Sequence, residues 1–287
     1  AVIYGGRSAE YEISKISGQS VAENLDKEKF TSREILIDRQ GKWFVDEKKV
    51  LVSEALNEVD IAFPVLHGTY GEDGKIQGLF EMLNLPFVGC GVTESALGMD
   101  KEFSKIIWQK NNIPTMKFLS IKKHNWNNEE EKQIKLIADF KLPLFVKPAI
   151  LGSSIGITKV KELSDAEKAI ELAFEYGDKI LVEEAVLEAR EIEVSLIGND
   201  KVTASVPGEI IPANEFYDYN AKYENQNSKL LIPTSLDIGL TKVIQDTAIK
   251  AYQVLGLYGF ARADFLLNKS TNQFFLSEIN TIPGFTP

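Results

Sequence analysis

Two periods of apolar residues alternate along this chain, and the switches between them mark its elements. Residues 1–4, Ala-Val-Ile-Tyr, form a short apolar run closed by Gly5-Gly6, the pattern of a buried strand stopped by a turn. From about Ser8, Ile13, Ile16, Val21 and Leu25 recur near helical spacing. Residues 33–38 and 60–66 read as further strands. Strand, glycine turn, helix and strand predict an α/β unit with a mostly parallel sheet. The polar, glycine-rich loop 67–74 then sits at the carboxyl end of a parallel strand, where such sheets bind ligands.

A second unit starts near Cys90. Asp100 is placed to cap a helix carrying Phe103, Ile106 and Ile107 on one face. Residues 125–135 are polar and read as a solvated loop or a helix start. Residues 144–147 read as a short strand, after which Pro148 bars a helix. Ser164 and Glu167 have the spacing of a capping box for a helix bearing Ala166, Ile170, Ala173 and Phe174, stopped by Gly177. Residues 179–184 are the next strand. The last unit is β-rich. Residues 191–197 alternate as a half-buried strand does, a helix spans about 237–255 with Gly256 after it, and strands follow at 260–267 and 273–280. No internal repeat or low-complexity segment interrupts this order.

The 287 residues are too many for one ordinary core and suit two or three packed lobes. We expect an N-terminal α/β lobe over 1–92, a central lobe over 93–183 and a C-terminal lobe over 184–287. With 44% hydrophobic and 26% charged residues the composition is globular. The longest apolar runs are strand-sized, so a membrane span is not expected. A net charge of −10 argues against a nucleic-acid partner, although local basic groups can still hold a small anion. Cys90 is the single cysteine, which excludes an internal disulfide and a Cys-based zinc site; His67 and His124 are the only imidazoles. This suits a reducing cytoplasm. Both ends read as cuts through a longer chain.

Chemistry concentrates in the two final strands. Side chains alternate faces, so Phe260, Arg262, Asp264 and Leu266 share one face, and Phe274, Leu276, Glu278 and Asn280 share another. Paired through a turn at 268–272, the two faces coincide and gather Asp264, Glu278 and Asn280 beside Arg262. Hard oxygen donors of this kind suit Mg²⁺ held with nucleotide phosphates. The competing reading is the solvated face of a hairpin. Phe274 and Leu276 argue against it, because they imply a covered face, and a covered carboxylate pair needs a cation. Gly152-Ser153-Ser154-Ile155-Gly156 reads either as an ordinary Gly-Ser loop, which is common, or as a phosphate-cradling loop with Lys147 on the strand before it. Gly71 to Lys75 is not a P-loop, since Ile76 stands where Ser or Thr is needed, and Gly89-Cys90-Gly91 lacks the third glycine of a dinucleotide fingerprint. Glu10 and Glu12 open the first helix and read either as dipole-complementing carboxylates or as receptors for an ammonium group. His67 reads as a loop-orienting hydrogen-bonder. Residues 216–223 pack four aromatics, an Asp and a Lys, as loops do that close over a ligand.

Taken in order, several segments resemble the D-alanine–D-alanine ligase family. They are Gly5-Gly6-Arg7-Ser8-Ala9-Glu10-Tyr11-Glu12, Leu66-His67-Gly68, Gly71-Glu72-Asp73-Gly74, Met99-Asp100-Lys101, Val146-Lys147-Pro148, and Gly152 to Gly156. Phe216-Tyr217-Asp218-Tyr219 through Lys222-Tyr223, Ala261-Arg262-Ala263-Asp264 and Glu278-Ile279-Asn280-Thr281-Ile282-Pro283-Gly284 complete the set. The resemblance implies an ATP-grasp fold, α/β in three lobes with a Rossmann-like N-terminal lobe, and ATP between the central and C-terminal lobes. It implies Lys101, Lys147 and Ser154 near the phosphates, Glu183 and Val186 at the adenine, Glu191 at the ribose and Lys222 at the transferred phosphate. It puts two Mg²⁺ ions, replaceable by Mn²⁺, on Asp264, Glu278 and Asn280. Glu12 is expected to receive the first substrate's ammonium, oriented by Ser153 and Tyr223. Arg262 and the Gly284 N–H are expected to form the oxyanion hole, and His67 to contact substrate. The implied activity joins two molecules of D-alanine through an acyl phosphate, for peptidoglycan precursors, in a cytoplasmic homodimer.

One departure stands out: the family continues Pro-Gly with Thr-Ser and a terminal helix, whereas here Thr286 is followed by Pro287. The groups for the second substrate's carboxylate are therefore expected beyond this sequence. Rival readings are a ligase forming D-alanyl-D-lactate or D-alanyl-D-serine, another carboxylate–amine ligase of the same superfamily, and a nucleotide sensor without turnover. The loop around Tyr219 and Tyr223 favours D-alanine over the first. Glu12, Ser153 and Tyr223 together disfavour the second, and the intact set of Lys147, Arg262, Asp264, Glu278 and Asn280 the third.

Overall fold

A computed structural model describes residues 1–153, 155–211 and 229–286. Three sheets follow one another along the chain, each backed by its own apolar core. The first holds β1 (Val2–Gly5), β2 (Glu34–Ile37), β3 (Trp43–Val45), β4 (Lys48–Val50) and β5 (Phe63–Pro64), in the order β4-β3-β2-β1-β5. Helix α1 (Tyr11–Asn24) provides the crossover that lets β1 and β2 run parallel, and β1 also runs parallel to β5. The sheet is nevertheless mixed, because β2–β3 and β3–β4 pair antiparallel. The turn 38–42 is too short for a crossover, and Asp38 Oδ1 locks it by accepting from the backbone N–H groups of Gln40 and Lys42, each at 2.8 Å. The strand expected over 60–66 shrinks to Phe63–Pro64, with Ala62 bridging Phe87 alongside. At Gly18 the first helix comes so close to β1 that a Cβ would collide with the Tyr4 ring.

Helices α2 (Val52–Ala55), α3 (Lys75–Met82) and α4 (Val92–Met99) lead to α5 (Lys101–Lys110). Asp100 caps α5 as expected, its Oδ1 accepting from Glu102 N at 3.1 Å and Phe103 N at 3.3 Å. The buried face of α5 is a different one, however. Phe103 and Ile106 are about half exposed, and Lys101, Ser104, Lys105 and Trp108 point inward.

The second sheet is antiparallel throughout. It contains β6 (Phe118–Lys122), β7 (Leu144–Pro148), β8 (Thr158–Val160) and β9 (Lys179–Glu184) in the order β6-β9-β7-β8. The polar stretch near 125–135 is a full helix, α6 (Lys123–Ile137), anchored by buried Trp126 and Ile137. Helix α7 (Ala166–Phe174) is preceded by a 3₁₀ turn over Leu163–Asp165, so the expected capping box does not form. Ala166, Ala169, Ile170 and Ala173 still pack it onto the sheet.

The third sheet has the path β13-β12-β10-β14-β15, with β11 (Thr203–Ala204) beside β10. Its members are β10 (Ala189–Ile197), β12 (Gly208–Ile211), β13 (Lys229–Leu231), β14 (Phe260–Asn268) and β15 (Phe274–Asn280). Helix α8 (Ile238–Val254), capped by Asp237, covers one face with Ile244, Ala248, Ala251 and Tyr252. Trp108 of α5 joins this core and donates to Ala251 O at 3.3 Å. Among the described residues no helix is long and apolar enough to cross a membrane.

A bulge between the last two strands decides which side chains reach the other face. Asp264 lies opposite Glu278, but Phe265 lies opposite Leu276, so Ser277 is the extra residue. The expected common face of Phe274, Leu276, Glu278 and Asn280 is therefore broken. Phe274 and Leu276 join the core with Phe265 and Leu267, whereas Glu278 and Asn280 share the opposite face with Arg262 and Asp264. The carboxylates do gather, but Phe274 and Leu276 do not cover them.

Candidate active site

An open cleft of about 980 Å³ lies where the three sheets meet. Its floor is the face of the third sheet left free by α8. The register puts Glu193, Asp264 and Glu278 in one row across β10, β14 and β15. Three carboxylates side by side repel one another unless cations stand among them. Arg262 supplies one: Nε and Nη2 donate to Asp264 Oδ1 and Oδ2, each at 2.7 Å, and Nη2 lies 3.3 Å from Glu193 Oε1. Burial works against the guanidinium charge, but Asp264 and Glu193 outweigh it and hold its pKa above the usual arginine value. Lys101 supplies the other, 3.1 Å from Glu278 Oε2 and donating to Leu151 O at 2.7 Å. Asn280 Nδ2 donates to Asp264 Oδ2 at 2.9 Å.

The loops after β1 and β5 form the opposite wall, as a sheet with parallel strands predicts. Glu10 and Ser153 line the cleft there, and the Ser153 hydroxyl donates to Glu10 Oε1. A Cβ on Gly68 would run into Glu10 Oε2, so this loop packs against the carboxylate only as glycine. Glu12 corrects the expectation drawn from sequence. Its side chain is 63% exposed, points to Lys15 and Arg39 at 3.5 and 3.1 Å, and does not line the cleft. The first turn of α1 turns Glu12 away, and Glu10, just before that turn, faces inward.

The rim carrying Gly284 is fastened to the first sheet. His67 Nδ1 is 2.9 Å from Ile282 O and Nε2 is 3.0 Å from Ser17 Oγ, which also accepts from Phe285 N at 3.1 Å. The partners fix the tautomer: Nδ1–H donates to the carbonyl, and the Ser17 hydroxyl donates to Nε2. Burial pushes the His67 pKa down, in keeping with a neutral ring. Both nitrogens are thus committed to protein, and His67 orients the loop although it lines the cleft. Glu72 adds a third tie, accepting from Gly68 N at 2.9 Å and Ile282 N at 3.3 Å. Phe285 closes the seam, packed against Phe63 and Phe260 with ring centroids 5.8 and 5.4 Å away.

Behind Lys101 the second sheet buries a charged trio. Lys147 Nζ of β7 lies 2.6 Å from Glu183 Oε2 of β9, and Lys105 Nζ of α5 lies 3.0 Å from Glu183 Oε1. Burial alone would raise the Glu183 pKa, but the two ammonium groups prevail and lower it. Val186 is half-buried just beyond β9, and Glu191 sits on β10 two residues from Glu193. None of Lys147, Glu183, Val186 and Glu191 lines the cleft itself. Ser154, Lys222 and Tyr223, and with them the aromatic segment 216–223, lie outside the described residues.

Similarity to known proteins extends along the whole chain. Residues 1–57 and 47–90 match the family described as D-ala D-ala ligase N-terminus, and residues 107–287 match D-ala D-ala ligase C-terminus. The chain belongs to the D-alanine–D-alanine ligase family. D-alanine–D-alanine ligase B of Clostridium tetani is 42% identical over 305 residues, covering 100% of this chain and 85% of that protein. The D-alanine–D-alanine ligase of Caldicellulosiruptor bescii is 44% identical over 316 residues, covering 100% and 86%. Among solved structures, the VanG D-Ala:D-Ser ligase from Enterococcus faecalis superposes with a TM-score of 0.88 at 37% identity, over 99% of this chain and 90% of that one. The D-alanine–D-alanine ligase from Coxiella burnetii gives a TM-score of 0.83 at 31% identity, over 99% and 84%. The fold is thus that of the ATP-grasp ligases of this family, and ATP use comes with it.

Membership in this ligase family raises the question whether the cleft suits divalent metal. Among the described residues no three Asp, Glu, His or Cys side chains converge as a ready-made cage. The donors present are two carboxylates, Asp264 and Glu278, and the amide of Asn280, on one face of the third sheet; Glu278 and Asn280 line the cleft, and Asp264 lies beside them, hydrogen-bonded to Asn280. Such a partial set of hard oxygens fits Mg²⁺ that brings nucleotide phosphates and water as its remaining ligands. Arg262 and Lys101 balance the same carboxylates in the protein alone.

The sequence offered Glu10 and Glu12 together as ammonium receptors, and the resemblance pointed to Glu12; Glu193, Glu72, Ser17 and Lys105 were missed. Glu193 was findable, since Glu191, Glu193 and Ser195 alternate with buried Ile192, Val194 and Leu196. Ser17 and Lys105 carry no local signal, because their partners are remote in sequence.

Proposed function

We propose that this ligase activates the carboxylate of one D-alanine with ATP and joins it to the amine of a second. The carrying observation is the cleft's opposed walls, Glu10 with Ser153 on one side and Arg262, Glu278 and Asn280 on the other, with Asp264 bonded to Arg262 and Asn280 beneath them. Glu10 takes the first substrate's ammonium, in place of Glu12, with Ser153 orienting it. A carboxylate oxygen then attacks the γ-phosphorus, the bond from that phosphorus to the β-bridging oxygen breaks, and ADP leaves with D-alanyl phosphate formed. Lys101 and Lys147 meet the phosphate charge, and the resemblance adds Ser154 and Lys222. Asp264, Glu278 and Asn280 hold Mg²⁺, which when bound neutralises charge on the phosphates.

The amine of the second D-alanine attacks the activated carbonyl, and inorganic phosphate departs. The oxyanion between these events lies near Arg262 and the Gly284 N–H, a contribution of about 3 kcal/mol when a single such donor is counted. The ties from His67, Ser17 and Glu72 hold the Gly284 loop where that donor is needed. Glu183, Val186 and Glu191 form the nucleoside end, and the resemblance adds Tyr223 as a support for the ammonium receptor and Ser153. We place the enzyme in the cytoplasm as a homodimer that supplies dipeptide for peptidoglycan precursors. The test is isotopic: ¹⁸O in the carboxylate of D-alanine is expected in the released phosphate, and unlabelled phosphate during dipeptide formation rules out the acyl phosphate.

A second reading has D-serine as the acceptor, favoured by the superposition on the VanG D-Ala:D-Ser ligase at 37% identity. Competition between equal D-alanine, D-serine and D-lactate from pH 6 to 9, with products separated by mass, decides it. D-Alanyl-D-alanine is expected to dominate, and a different main product at pH 7.5 overturns the choice of D-alanine.

A further inference from the structure

Helix α5 turns its apolar residues partly outward and buries an ammonium. Lys105 is fully buried, one helical turn after Lys101, whereas Phe103 and Ile106 stay about half exposed. A long cation is costly in a dry interior unless something there requires its charge. Its partner is Glu183, itself 2% exposed. The two oxygens of Glu183 are divided: Oε1 faces Lys105 at 3.0 Å and Oε2 faces Lys147 at 2.6 Å. The Lys105 contact is a charge pair poorly aligned for a hydrogen bond, whereas Lys147 is held at hydrogen-bond distance.

Resting on the reading of Lys147 as a nucleotide-phosphate ligand, we infer that Lys105 is a positioning residue: it is the standing counter-ion of Glu183, which frees Lys147 to leave that carboxylate for the nucleotide. A buried carboxylate with Lys147 as its only cation would hold it in place, because departure would strand an uncompensated charge. With Lys105 present, Oε1 keeps a partner while Oε2 releases its own. Among the described residues, Lys105 has no competing anion at contact distance. Glu183 on β9 and Lys147 on β7 are its charged neighbours, with Glu278 on β15 acting from further away and Lys101 one turn back on its own helix. Burial, against the pull of Glu183 and with the help of the nearby Lys147 charge, pushes the Lys105 pKa down to about 8. The counter-ion is therefore lost as pH rises through that value, and with it the freedom of Lys147.

The experiment measures binding of a non-hydrolysable ATP analogue with Mg²⁺, without D-alanine, by calorimetry from pH 6.5 to 9.5. The unsubstituted protein should hold its affinity to about pH 7.5 and then lose up to about tenfold per pH unit. Lys105→Arg, which keeps its charge throughout, should bind within about threefold at pH 7 and show no loss above pH 8. Lys105→Met should bind at least about tenfold more weakly at pH 7, with no dependence on pH in this range. A folded Lys105→Met protein that binds as the unsubstituted one does overturns the assignment, because a residue that merely fills the core would lower thermal stability and leave affinity and its pH profile alone. If Lys105→Met does not fold, the other two profiles decide, and parallel curves for Lys105→Arg and the unsubstituted protein overturn the assignment equally. No binding by the unsubstituted protein at any pH refutes instead the nucleotide reading on which the inference rests.

Discussion

Replacing Glu10 and Glu12 by glutamine, one at a time, separates two uses of a single short stretch. Glu10 faces the cleft and accepts the Ser153 hydroxyl, while Glu12 is 63% exposed beside Lys15 and Arg39. If Glu10 receives the substrate ammonium, glutamine removes the charge from two hydrogen bonds, one to Ser153 and one to the ammonium. Hydrogen bonds to charged groups contribute about 1.5–3 kcal/mol each, and glutamine keeps part of both, so a net loss of about 3 kcal/mol is reasonable. That is a fall of about 150-fold in kcat/KM for D-alanine. Glu12→Gln breaks only exposed ion pairs, typically about 0.2–1 kcal/mol, and these act on stability rather than on the reaction. Its effect on kcat/KM is expected to stay below about fivefold. The assay is ADP release against varied D-alanine, with thermal melting to confirm that both proteins are folded. A loss of about 100-fold or more in Glu12→Gln, with Glu10→Gln near normal, would refute the reading of the cleft and restore Glu12 as the receptor.

Two further outcomes follow from the same geometry. Glu278→Gln should lower turnover by about 100-fold or more while the melting temperature stays within a few degrees, since Lys101 retains Leu151 O as a partner; full activity at ordinary Mg²⁺ removes Glu278 from the metal set. Glu72 is buried and its pKa is pushed up to about 8, chiefly by burial and then by Glu10. Its folded form holds a proton that the unfolded chain has lost above the ordinary carboxyl range, so its contribution to stability worsens from about pH 4.5 to 8. The melting temperature of Glu72→Gln minus that of the unsubstituted protein should therefore rise across that window and level off above pH 8. A difference independent of pH contradicts the buried, raised carboxyl.

Much of the fold was legible because regular strands write their period into the chain. The strand read at 179–184 is β9 to the residue, and the helix read over about 237–255 is α8, followed by the glycine expected after it. The convergence of Asp264, Glu278 and Asn280 was also legible, although one supporting reason was wrong. Alternation alone put Phe274 and Leu276 beside Glu278, and the bulge at Ser277 moves them into the core. A bulge depends on the partner strand and leaves no period of its own. The face of α5 failed for a related reason. Apolar spacing assumes that a buried face is greasy, but this face serves Glu183 and Glu278 with ammonium groups. The choice between Glu10 and Glu12 turned on where a helix begins, the boundary a sequence fixes least well.

The seam between Ile282, Phe285 and the first sheet has a bearing on how the enzyme comes into being on the ribosome. Ser17, His67 and Glu72 emerge early and can settle into the N-terminal sheet at once, yet their partners at 282 and 285 are made some two hundred residues later. Until then the acceptor on Glu72 and the imidazole of His67 face water where they will later face peptide groups. The loop 282–285, proposed above to carry an oxyanion donor, is thus set by late residues folding back onto early ones, and a nascent chain that has completed only its first two sheets lacks it. On the proposed roles, activity is a late event in synthesis, conditional on residues 282–285 having met Ser17, His67 and Glu72.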